Sequence, residues 1–214
     1  MKNFLITAIA IFGFCSINAQ SNLKGMMHAN AMVGYFTGSS TSKDDSGVGA
    51  IDSKSKVTGS NFGAQFQYAL EDSFSVGIGL ESNTFKLKVK DITNNVNDPS
   101  ITTIKVSLSG RYYLLNKDKV NIFIGPTVGY ASGKDKSITT NTPNSFFEKK
   151  YSGLNYGLNA GVNYYFTDSL GFIMQLTYEA NSLTSTKSVS GNEDISGKTT
   201  ISGLNIMGGL AFKF

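Results

Sequence analysis

Apolar and polar residues alternate one for one along most of the chain, and beyond residue 20 no three-to-four-residue helical repeat is sustained. The alternation is cleanest between residues 60 and 70, where Phe62, Ala64, Phe66, Tyr68 and Leu70 interleave with Asn61, Gly63, Gln65, Gln67 and Ala69. Successive side chains on a strand point to opposite faces, so this segment reads as a strand with one greasy face and one small or polar face. The same pattern recurs over about 25–37, 74–87, 103–115, 120–132, 152–166, 170–183 and 199–214, which predicts eight strands. Such lengths exceed the five or six residues usual in globular sheets and suit tilted strands that cross a bilayer.

The connections alternate too. Short turns fall near 71–73, 116–119 and 167–169, each carrying an aspartate: Asp72, Asp118 and Asp168. Four longer polar segments, about 38–56, 88–102, 133–150 and 184–198, separate them. Antiparallel neighbours place successive connections at opposite ends, so all long loops emerge on one side and all short turns on the other. Tyr68, Leu114 and Tyr164 each precede one of these aspartates by four residues, a weak internal repeat of one hairpin design. The expected fold is all-β: an eight-stranded antiparallel up-and-down transmembrane β-barrel with four long loops and three short turns.

Orientation decides between a membrane barrel and a soluble carrier. A soluble barrel would show a heavily charged exterior, but the polar face here is mostly Gly, Asn, Ser and Gln. Small residues suit the cramped interior of a narrow barrel, which sends the greasy face into lipid. The few charges on the inner face, Glu81, Lys105, Arg111 and Glu179, have both signs and are expected to form a structural network plugging the lumen. Glu81 and Lys105 lie at similar depth on neighbouring strands, placed to pair. A proton or ion relay is the sharper alternative for this group.

Aromatic residues of the greasy face cluster toward strand ends, with Tyr68, Tyr112, Tyr164 and Phe166 beside the short turns and Tyr35, Tyr130 and Tyr156 toward the long loops. Two belts result, as expected where amphipathic rings settle at the two bilayer interfaces. Pro126 is the exception to the pattern, a residue without an N–H inside the fifth strand, and calls for a bulge or a place near the rim.

Composition adds the address. Lys2, an apolar run from Phe4 to Phe14 and the small residue Ala19 have the layout of a secretory signal, predicting removal of residues 1–19 and a mature barrel domain over 20–214. Cys15 raises a lipoprotein signal as a rival, but Phe14 stands where such signals carry a small residue. Cleavage after Ala19 would remove the one Cys, and with it any thiolate metal site or cysteine nucleophile. The formal net charge of +4 is scattered rather than striped, which argues against nucleic acid as a partner.

These features resemble the small eight-stranded outer-membrane β-barrels of Gram-negative bacteria, the porin-like outer-membrane barrel family. The most specific element is the terminal run from Leu204 to Phe214, whose alternation ends in Phe212 and Phe214 and is similar to the signal recognised by barrel-assembly machinery. The run from Phe123 to Tyr130 resembles the family's fifth-strand pattern, and the Ala19, Gln20 junction resembles signal peptides common in Bacteroidetes. The resemblance implies location in the outer membrane, lipid and the assembly machinery as partners, periplasmic short turns and surface loops. Its members include adhesins, serum-resistance factors, structural anchors and a few enzymes, so membership fixes no activity.

The chain holds one histidine, His28, at the start of the first strand on the polar face without a nucleophile motif beside it, so a satisfied structural histidine is expected rather than a general base. Gly77 and Gly79 lie within a strand with no following helix, which does not support phosphate binding. No enzyme activity, metal or cofactor is expected. The leading expectation is a role carried by the surface loops toward an unknown ligand: adhesion, envelope interaction or membrane integrity. A narrow channel for ions or small solutes and a soluble lipocalin-like carrier are the alternatives.

Overall fold

The computed structural model describes residues 21–44, 53–88, 100–137, 147–187 and 195–214. Eight strands follow one another: β1 (Met27–Asp44), β2 (Ser53–Glu71), β3 (Phe74–Lys88), β4 (Ser100–Asn116), β5 (Val120–Ser137), β6 (Phe147–Tyr165), β7 (Leu170–Lys187) and β8 (Ile195–Lys213). Each pairs antiparallel with its neighbours in sequence, and β1 pairs β8 from His28↔Lys213 to Asp44↔Gly197, which closes the sheet into a barrel. The turns joining β2 to β3, β4 to β5 and β6 to β7 sit at the end where β1 begins and β8 finishes. The remaining connections leave from the opposite rim.

Strands run further toward that rim than hydrophobic alternation predicts. The segments read as long loops contribute Gly38–Asp44 to β1, Ser53–Lys56 to β2, Gly133–Ser137 to β5 and Phe147–Lys150 to β6, among others. Those loop boundaries are therefore corrected, and 45–52, 89–99, 138–146 and 188–194 fall outside the described residues, as does the expected signal segment. The physical reason is that Ser, Thr and Lys at these positions give no hydrophobic period, while β-branched Thr and ladder pairs such as Thr41↔Lys54 and Thr84↔Thr102 keep the backbone extended.

The greasy face is the outer one. Phe66, Leu80 and Tyr156 project outward with 38%, 55% and 56% of their surface exposed, whereas Asn61 and Gln65 retain 6% and 8%. The exposed apolar side chains form a band around every strand, far larger than the patch of a few hundred Å² that a water-soluble monomer shows, and they match the hydrocarbon layer of a membrane. All the girdle aromatics, Tyr35, Tyr68, Tyr112, Tyr130, Tyr156, Tyr164 and Phe166, belong to this outward set.

Pro126 occupies neither a bulge nor a rim. It faces outward in the middle of β5, in register with Leu158 of β6, and the β4–β5 ladder passes from Ser109↔Thr127 to Tyr112↔Ile124 without pairing the two positions between. Beside it the backbones approach so closely that a Cβ on Gly125 would strike the Gly110 carbonyl, so glycine is required there. The ladder shift in this hairpin lies nearer the turn, between Tyr113 and Leu115.

Candidate functional site: the barrel lumen and its two ends

Alternate residues of eight strands converge on the barrel axis, and they sort by depth into three layers. The outer layer is apolar. Phe36, Val57, Phe85, Ile101, Ala131, Tyr151, Leu183 and Ile201 form one buried cluster to which every strand contributes a single side chain. Phe36 of β1 and Phe85 of β3 meet edge to face over β2 with ring centroids 5.1 Å apart.

The middle layer is charged and amidic. Lys105 lies 2.8 Å from Glu81 on the adjacent strand and 2.6 Å from Glu179 across the lumen, all three nearly fully buried. Asn155 donates to the same Glu179 oxygen at 3.1 Å and to Asn181 at 2.9 Å. Arg111 is not brought into this ionic group. Its guanidinium donates to Gln65 at 2.6 Å and Gln175 at 3.1 Å and stacks over the Phe123 ring, 4.1 Å from the centroid. The single network expected from sequence is thus two neighbouring systems. Among the described residues, buried amide atoms such as Asn155 Oδ1 and Asn181 Nδ2 have no protein partner, so this layer has hydrogen-bonding capacity to spare for water.

Below lies a second apolar cluster: Met32, Tyr113, Phe123, Tyr165, Ile173, Met207 and Ala211. Its polar tips are tied down, the Tyr113 hydroxyl to Ser75 at 3.2 Å and the Tyr165 hydroxyl to His28 Nδ1 at 2.9 Å. Lys213 adds its ammonium 4.6 Å from the Tyr165 ring centre.

The segment from Ser21 to Met26 straps this end. Asn116, at the foot of β4, accepts from Ser21 Oγ at 2.9 Å and the Asn22 backbone at 3.0 Å, and donates to the carbonyls of Asn22 at 2.6 Å and Asp72 at 3.0 Å. Asn22 Nδ2 donates to the Asp72 carbonyl, which leaves its Oδ1 to accept from His28 Nε2 at 2.8 Å. Both ring nitrogens of His28 are therefore engaged, in agreement with a structural histidine. Gly25 takes φ of 87°, a left-handed turn that glycine adopts without strain, and its N–H reaches the Ala69 carbonyl at 2.8 Å. Outside, Lys24 pairs with Glu71 at 2.7 Å, and that hydrogen bond and charge hold its ammonium above the ordinary lysine value.

Sequence reasoning missed most of the lumen's bulk. Phe36, Phe85, Tyr113, Phe123, Tyr151 and Tyr165 all sit at inward parity, an available signal masked by the assumption that large rings face lipid. Chemically, the arrangement fills and braces the barrel. Among the described residues, no three His, Cys, Asp or Glu side chains are grouped to hold a metal ion.

Residues 18–188 match the family described as outer membrane protein beta-barrel domain. The chain belongs to that family. Among solved structures, the outer membrane protein OprG from Pseudomonas aeruginosa aligns with TM-score 0.70 at 17% identity, over 90% of this chain and 97% of that one. The outer membrane protein AlkL, determined in lipid bilayers, aligns with TM-score 0.56 at 16% identity, over 94% of this chain and 95% of that one. Both likenesses concern the fold. No curated protein matches the chain in sequence. As a member of this family, the outer-membrane barrel crosses its membrane with strands, and its location is the outer membrane.

Proposed function

We propose that this outer-membrane barrel is a non-enzymatic, non-conducting scaffold whose role is carried by the connections on the rim opposite its termini: adhesion, envelope interaction or membrane integrity. The observation that carries this reading is the outer apolar ring, one buried side chain from each strand, with Phe36 and Phe85 in edge-to-face contact within it. An apolar constriction expels water and with it hydrated ions. Beneath it, a second apolar layer and the Ser21–Met26 strap leave the polar middle layer enclosed at both ends. The other reading, a narrow channel, draws on that middle layer and its spare amide atoms.

Planar-bilayer recording separates the two. The refolded chain is expected to stay silent, and discrete conductance steps would reject the scaffold in favour of the channel. In parallel, replacing 45–52, 89–99, 138–146 and 188–194 by short turns should abolish any surface-binding phenotype while the barrel still migrates as a heat-modifiable band. A phenotype that survives that replacement would remove the rim from consideration.

A further inference from the structure

Among the described residues, one buried charge of the lumen has no opposite beside it. The buried carboxylates there are Glu81 and Glu179, and both close on Lys105. Arg111 lies six residues further along β4, about 20 Å of strand toward the turns, and no described carboxylate touches it. Lys213, deeper still, faces Asp118 and Asp168 at the turns. The ionisable neighbours of Arg111 are instead His28, Tyr113 and Tyr165, a base and two phenols that bring no counter-charge.

The hydrogen bonding of Arg111 is incomplete as well. Its Nη2 donates to Gln65 and Gln175, whereas the equally buried Nη1 meets no acceptor. Asn30 stands directly opposite Gln65 in the β1–β2 ladder, both turned inward and buried, and neither its Nδ2 nor its Oδ1 has a protein partner. Gln65 therefore has the guanidinium on one side and a second unused N–H donor on the other. Around them, Met32 and the Phe123 ring belong to the apolar cluster that fills the lumen toward the turns. Water satisfies such donors but leaves the charge unbalanced, and a buried ion is costly until a group of opposite sign reaches it.

We infer that Arg111 Nη1 and Asn30 Nδ2 hold a monovalent, halide-sized anion inside the barrel. One guanidinium balances one negative charge. An oxyanion is best gripped by two parallel N–H groups, but Nη2, which takes part in both such pairs of a guanidinium, is committed to Gln65 and Gln175. A single charged donor and an amide N–H remain, and they suit a small spherical acceptor. The anion is a structural counter-ion, part of the packed interior rather than a permeating ion.

The test uses the full chain refolded in detergent with gluconate as the anion, and reads the temperature at which its heat-modifiable band unfolds. Replacing gluconate by chloride at constant ionic strength should raise that temperature by several degrees, with the midpoint climbing with the logarithm of chloride concentration once the site is filled. Arg111→Gln should lose the chloride response, while Lys117→Gln on the exposed turn should keep it. Asn30→Asp places a carboxylate beside the guanidinium, so it should raise the midpoint in gluconate and leave little for chloride to add. Equal midpoints in chloride and gluconate for the unaltered chain, or an undiminished chloride response in Arg111→Gln, would overturn the inference. So would an Asn30→Asp chain that is less stable in gluconate and still responds to chloride. Should the variants fail to refold, crystals of the unaltered chain grown in bromide decide: an anomalous peak within hydrogen-bond reach of Arg111 Nη1 supports the site, and its absence rejects it.

Discussion

Lys105 bridges Glu81, on the strand beside it, and Glu179, on a strand it never pairs with. A buried carboxylate left without its counter-ion costs several kcal/mol, so Lys105→Met should destabilise the refolded barrel by about 3–5 kcal/mol, read as a lower urea midpoint in lipid bilayers. Changing all three residues together to Met, Leu and Leu should recover most of that loss. A single variant as stable as the parent would mean that the carboxylates find water instead. The Glu81 pairing was legible because parity and neighbouring register place the two side chains on one face. The reach to Glu179 was not, since it depends on how far a side chain extends across a closed lumen. Arg111 had the right face and the wrong partners: amides and the Phe123 ring solvate it without a carboxylate.

At the scale of elements, the strap and the strand extensions both rest on hydrogen bonds that leave no hydrophobic trace. Asn116 joins β4 to the N-terminal segment and to the β2–β3 turn through four contacts. Asn116→Ala removes them at a cost on the order of 1–3 kcal/mol and should accelerate amide exchange at Asn22 and Lys24 while β-ladder amides keep their protection. Unchanged exchange at those two amides would show that the strap is held elsewhere, for instance by Asp72 or the Gly25 bond to Ala69. The exposed Lys24–Glu71 pair is the weaker part of this attachment, as surface ion pairs contribute at most about 1 kcal/mol. The apolar cores of all eight strands were readable from their alternation, because lipid selects the outward residues as strongly as a core selects inward ones. Their Ser, Thr and Lys ends were read as loops because water and headgroups impose no such selection.

For the whole molecule, eight strands and alternating connection lengths were enough to anticipate a barrel with two unlike ends. The apolar ring inside it was not, because that ring is assembled from one residue per strand, scattered from Phe36 to Ile201. If that ring is what blocks passage, Phe36→Ala combined with Phe85→Ala should convert a silent barrel into one with small, resolvable current steps in planar bilayers. Continued silence would transfer the seal to the lower cluster around Tyr165 and Phe123.

The β1–β8 seam joins the two ends of the chain, pairing His28 with Lys213. This is among the largest sequence separations a contact can have here, and it sets a kinetic condition as well as a shape. Until the last-made strand arrives, β1 and β7 each present a bare row of N–H and C=O groups that hydrocarbon will not accept. Assembly therefore cannot proceed hairpin by hairpin into lipid, because every incomplete sheet keeps two unpaired edges that only the finished cylinder removes.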